Sequence, residues 1–231
     1  MSEMKLYAAA GRFVHKRDSN GQTYPIIILG SREYLVDPQE FMIWINANWR
    51  ICRWEEIGKY YASSATEAGY HNDRSWQDCT RRLLVRGLLV CGCGETKYDA
   101  LYDLLSSMYI IPARGRITLM LYVVIKLVLQ GKASLRAAKR LFHTYTRTES
   151  EKLILRLAKQ VLISTAEVIF CLEKGIKNIR NEYGLMDAVY ADSETTSDNI
   201  GQTAKGFHCC QDVLEAVGNL YISQQLIFDR A

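Results

Sequence analysis

Proline is scarce in this chain of 231 residues, with three in all, and long unbroken apolar runs are missing. The longest apolar stretch, Ile117 to Gln130, is 14 residues and contains Lys126. A membrane span needs about 20 apolar residues, so this stretch is expected to be a buried helix. Low-complexity tracts and internal repeats are absent too. With 48% hydrophobic and 23% charged residues, the composition excludes a disordered or collagen-like chain. Seven cysteines form no even framework, and the start, MSEMKLY, lacks the apolar core of a secretory signal. Reduced thiols in a cytoplasmic protein are the expectation.

Acidic residues are missing from one region. Between Asp103 and Glu149 there is none, while Arg114, Arg116, Lys126, Lys132, Arg136, Lys139, Arg140 and Arg147 fall there. Residues 1–112 balance 13 basic against 13 acidic groups, so the later half carries the whole net charge of +4. Such a run suits a polyanionic partner or a plain solvated surface.

Catalytic patterns are equally thin. The four histidines, His15, His71, His143 and His208, stand apart, and none sits in a nucleophile or metal motif. Gly92-Cys93-Gly94 lacks the Lys-Ser/Thr that a phosphate loop needs. Cys91 and Cys93 are expected to face opposite sides of a strand, and His208-Cys209-Cys210 to diverge around a helix, so neither predicts a shared metal. No enzyme, cofactor or metal site is expected, and no effector ligand is identified. Tyr98, Tyr102, Tyr109 and Tyr122 could line an effector pocket, but helix packing explains them equally well.

What is present begins with strands at 6–16 and 22–29 around Asp18-Ser19-Asn20-Gly21, then a third at 33–36. Pro25 predicts that the second strand is an edge or starts after it. Asp37, Pro38 and Glu40 spell a capping box for a helix ending near Trp49. A second helix is expected from Arg53 to Ser64, and a polar loop from Thr66 to Asn72. Asp73 would cap a third, Arg74 to Arg86, with Gly87 ending it. Its face of Trp76, Cys79, Thr80, Leu83 and Leu84 is apolar. Arg74, Asp78, Arg81 and Arg82 fall opposite, with Gln77 at the margin. A strand at 88–93, a turn at 94–97, a helix over 98–108 and an extended 109–112 follow. Beyond Ala113 only helices are expected: 117–130, 134–142, 148–173 and 203–228, with a polar loop at 190–199.

The passage Leu83-Leu84-Val85-Arg86-Gly87-Leu88-Leu89-Val90 resembles the L-x-x-R-G-L step from recognition helix to wing in bacterial winged-helix regulators. The resemblance covers about 37–112. It implies a fold that is mainly α (α+β): an N-terminal β-meander and winged-helix domain over 1–112, then an all-helical dimerisation or effector region over 113–231. It also implies double-stranded DNA as partner and a homodimer setting half-site spacing. Arg74, Ser75, Gln77, Arg81, Arg82 and Arg86 would serve the recognition helix and Lys97 the wing. After Gly94 the sequence departs from that pattern, because helix-favouring residues replace the returning strand. The competing reading is a PqqD-like module that docks a peptide beside the strand at 22–29. No membrane partner is expected under either.

Overall fold

The computed structural model describes residues 3–17, 19–67, 69, 74–113, 146–191 and 194–230. The expected helices at 117–130 and 134–142 lie outside the described residues, as do Asp73, His71, His143, Tyr122 and seven of the eight cations of 114–147.

The first expected strand is two. β1 (Met4–Ala9) and β2 (Arg12–Arg17) join different sheets. Gly11 between them has φ +88°, and a Cβ there would lie 2.6 Å from the Ile28 carbonyl oxygen. Only glycine accepts both the left-handed backbone and the close approach. β2 pairs with β3 (Thr23–Leu29), which pairs with β4 (Arg32–Leu35), giving an antiparallel meander. β3 is therefore central and not an edge. Pro25 is tolerated because it lies opposite His15 on β2, while pairing with β4 begins only at Ile26.

α1 (Pro38–Ala47) starts as its sequence dictates. The Asp37 carboxylate accepts from the N–H groups of Gln39 and Glu40, and Glu40 closes the capping box. α2 (Trp54–Glu67) and α3 (Trp76–Val85) follow, and the three helices give Ile43, Trp44, Ile57, Tyr61, Cys79 and Leu83 to the buried core. The cap of α3 is Ser75. Gly87, at φ +72°, ends it and leads into β5 (Leu89–Gly94). β5 pairs antiparallel with β1, and the chain then enters α4 (Lys97–Leu105). Among the described residues no strand returns beside β5 as a wing would require. Lys97 is the first residue of a helix and belongs to no wing turn.

The C-terminal region is not all helix. Beyond β6 (Tyr109–Pro112), the expected helix 148–173 is interrupted: α5 (Glu149–Gln160), β7 (Ile163–Ser164) and α6 (Thr165–Glu173). Ser164 and Glu167 form a capping box in the middle of the apolar run, so a new helix begins there. α7 (Glu182–Tyr190) and α8 (Ile200–Lys205) precede α9 (Cys210–Ile222). The expected helix 203–228 thus has a gap at 206–209 and stops at Ile222. Leu226–Asp229 is a strand, β8, whose alternating burial shows its period of two.

β6 lies between β7 and β8, so buried contacts cross the expected boundary near 112–115. Tyr221 of α9 donates to the Ala9 carbonyl at 3.0 Å and stacks on Phe228 with ring centroids 4.1 Å apart. The Gly11 N–H donates to the Phe228 carbonyl at 2.8 Å. The chain's last described residues thereby seal the end of its first strand. The protein mixes α-helices with small antiparallel sheets. Among the described residues no helix is long and apolar enough to cross a membrane.

Candidate nucleic-acid interface

α3 has the two-faced character expected of it. Cys79, Thr80 and Leu83 are fully buried, and Trp76 packs on Trp54 with ring centroids 5.1 Å apart. The outer side carries Asp78, Arg81, Arg82 and Val85, with Gln77 half-buried. Ser75 faces solvent but is occupied: its hydroxyl donates to Asp78 Oδ2 at 2.5 Å and accepts from the Asp78 N–H at 3.1 Å.

The arginines divide into two classes. Arg74 and Arg86 are 34% and 24% exposed and serve the fold. Arg74 Nη2 is bonded to Asp37 Oδ2. Burial alone would raise the Asp37 pKa, but the Glu40 N–H, Arg74 and the Gln39 N–H outweigh it and hold the carboxyl below its usual value. Arg86 Nη1 donates to Glu40 Oε2 at 2.8 Å, its Nη2 donates to the Leu35 carbonyl, and its plane lies over Tyr34. Both terminal nitrogens of Arg86 are thereby engaged, and Arg74 is tied through one of its own.

Arg81 and Arg82 are different, at 70% and 57% exposed. Arg81 lies 3.4 Å from Asp78 Oδ1, an exposed i,i+3 pair of little energetic weight. Arg82 Nε lies 2.8 Å from Glu40 Oε1. The angle is wrong for a hydrogen bond, so the contact is an ion pair only. Glu40, 1% exposed, thus anchors two arginines from inside. Four arginines meet three carboxylates, Asp37, Glu40 and Asp78, and the patch nets one positive charge.

Asp37 and Glu40 are the site residues that the sequence reading missed. They were legible as a cap, but nothing local tied them to arginines 37 and 46 positions away. Lys97 is exposed, but the six residues of β5 separate it from the end of α3, about 20 Å of extended chain. It does not join the patch.

The other sequence candidates fall elsewhere. Burial pushes the Cys91 thiol up to about 11, and Cys209 up to about 12, so neither is an activated nucleophile. His208 is exposed, Cys209 half-buried and Cys210 buried, so the three side chains diverge. Cys91 and Cys93 do not face opposite sides: residues two apart on a strand share a face, and their sulfurs lie 3.8 Å apart. Of the tyrosines considered for an effector pocket, Tyr102 borders a polar cleft of about 570 Å³ with Asp99, Asp103 and Lys205. Its hydroxyl donates to the Gly201 carbonyl, and the Lys205 ammonium pairs with Asp99 at 2.7 Å.

Peptide docking beside residues 22–29 loses its edge, because β3 has neighbours on both sides. The outer strand β2 shows Arg12, His15, Lys16 and Arg17, the charged character that keeps edges from pairing. The apolar residues along 148–173 are largely spent inside the chain, since Ile154, Leu155, Leu157, Val161, Val168 and Ile169 are all buried. No known protein family, curated protein or solved structure matches the chain.

Proposed function

We propose that this protein binds duplex DNA through the outer face of α3, as a regulator without chemistry of its own. The supporting observation is the position of Arg82. Its Nε lies 2.8 Å from the buried Glu40 carboxylate as an ion pair without a hydrogen bond, which leaves the two terminal amino groups of the guanidinium for a ligand. Those groups are the ones that pair with guanine O6 and N7. Arg81 beside it supplies a phosphate or second base contact, and Gln77 one turn earlier suits adenine. Ser75, Arg74 and Arg86 act as positioning residues that fix the helix and not as readers.

The attraction to buried Glu40 keeps the Arg82 guanidinium close to the α3 surface, which lowers the freedom it loses on binding. One helix reads only a few base pairs, so the reading calls for two copies on paired half-sites.

The test is selection of bound duplexes from a random pool, followed by affinity measurement for wild type and an R81A/R82A variant. Enrichment of a short motif, with affinity lost in the variant and its melting temperature kept, is the expected outcome. A variant that binds the same sequences as tightly as wild type overturns the proposal.

A further inference from the structure

Cys91 and Cys93 take no part in the α3 site, yet the fold sets them together with care. β1 and β5 form a two-stranded ribbon in which Tyr7 lies opposite Cys91 and Lys5 opposite Cys93. Residues paired this way project to the same side. One face of the ribbon therefore carries Lys5, Tyr7, Cys91 and Cys93. The other face carries Gly92 and Gly94 and is pressed against α4. A Cβ on Gly92 would lie 2.3 Å from both the Ala100 carbonyl oxygen and the Leu104 nitrogen. Backbone contact pins β5 from behind, and both thiols stand half-buried on the front.

The spacing fits a particular chemistry. Two sulfurs 3.8 Å apart, each about 2.3 Å from a shared ion, subtend about 111° at that ion, close to the tetrahedral angle zinc prefers. No backbone movement is needed. A disulfide, by contrast, would bring the sulfurs to about 2.05 Å with α-carbons at most about 6.8 Å apart. An extended strand already sits at that upper limit for residues two apart, and the pinned Gly92 resists shortening.

We propose that Cys91 and Cys93 chelate a thiophilic divalent ion of the zinc class through both sulfurs. Binding the ion has to displace the proton that burial holds on Cys91, and two neighbouring groups face the sulfurs. The Tyr7 hydroxyl is hydrogen-bonded to the Cys91 sulfur, and the Lys5 ammonium, which also pairs with Glu3 at 3.3 Å, interacts with both sulfurs. Partners of this kind orient ligands and balance charge around metal sites. No group of three or more metal-binding side chains occurs among the described residues. Among the described residues the two sulfurs are the ion's protein ligands, and water or an outside ligand would fill its other positions.

The experiment is titration of the reduced full chain with cadmium, followed by the ultraviolet thiolate-to-cadmium absorption band, with zinc as competitor. One ion per chain is expected, displaced by zinc. C91S and C93S should each weaken binding by about tenfold or more, the advantage of a second donor already in place. In parallel, zinc should slow iodoacetamide alkylation of the wild-type peptide holding Cys91 and Cys93 more than that of Cys209. This second measurement needs no variant to fold. Cadmium binding that survives a C91S/C93S double substitution, or alkylation unaffected by zinc, overturns the proposal.

Discussion

Replacing Glu40 by glutamine separates the structural from the functional side of the α3 patch. Glutamine still closes a capping box, so the start of α1 should survive. The charge is lost, and with it the contacts to Arg82 and Arg86, each at 2.8 Å. The Arg82 contact involves a side chain 57% exposed, so its loss costs little. The Arg86 contact is a charge-assisted bond to a buried acceptor, worth about 1.5–3 kcal/mol. Arg86 keeps its bond to the Leu35 carbonyl and its seat on Tyr34, which places the total near the low end, at about 2 kcal/mol. For a chain of this size that lowers the melting temperature by about 4–8 °C, read by circular dichroism or calorimetry. DNA binding should move the other way. One more uncompensated guanidinium charge steepens the dependence of log K on log salt by about 0.9. E40Q melting with wild type would refute the anchoring role of Glu40. A normal salt slope in a destabilised E40Q would refute Arg82 as a DNA contact.

Three further outcomes follow from the geometry. D37N keeps a good cap but loses the Arg74 ion pair, and should cost about 1 kcal/mol at neutral pH. Because the folded Asp37 pKa is lowered, that difference is full above the ordinary carboxyl pKa of about 3.9. It closes as pH falls through the folded value, so wild type and D37N should converge in acid unfolding. G92A drives a Cβ into the α4 backbone and should destabilise the fold by about 3 kcal/mol in urea titration, whereas G201A, which meets nothing within 4 Å and has no left-handed backbone, should show no such loss. Y221F removes the buried bond to the Ala9 carbonyl and should cost about 1–2 kcal/mol by the same measurement.

Signals confined to one turn were mostly legible, and those set by distant partners were not. The start of α1 needed only Asp37, Pro38 and Glu40, three residues within one turn. The buried face of α3 followed from spacing, and its end from Gly87. The break in 148–173 also had a local signal, Ser164 with Glu167, but it sat inside an apolar run that reads as continuous helix. Ile163 and Ser164 become a strand because β6 pairs with them from more than 50 positions away, a tertiary partner no window contains. β8 is the same case, since its four residues alternate too briefly to outvote the helix before them. At the candidate site the sequence exposed the arginines but not their partners. Asp37 and Glu40 already had a complete local explanation as caps, so their second role was hidden. Cys91 and Cys93 were misplaced by a period error, since alternation sends neighbours apart and brings residues two apart together.

The claim at the centre of this account is that Arg81 and Arg82 meet DNA. It is tested most directly by the salt dependence of duplex binding, measured for wild type and R81A/R82A side by side. If both arginines displace counterions, the slope of log K against log salt should be shallower in the variant by about 1.8. Parallel lines for the two proteins, at any affinity, would contradict it.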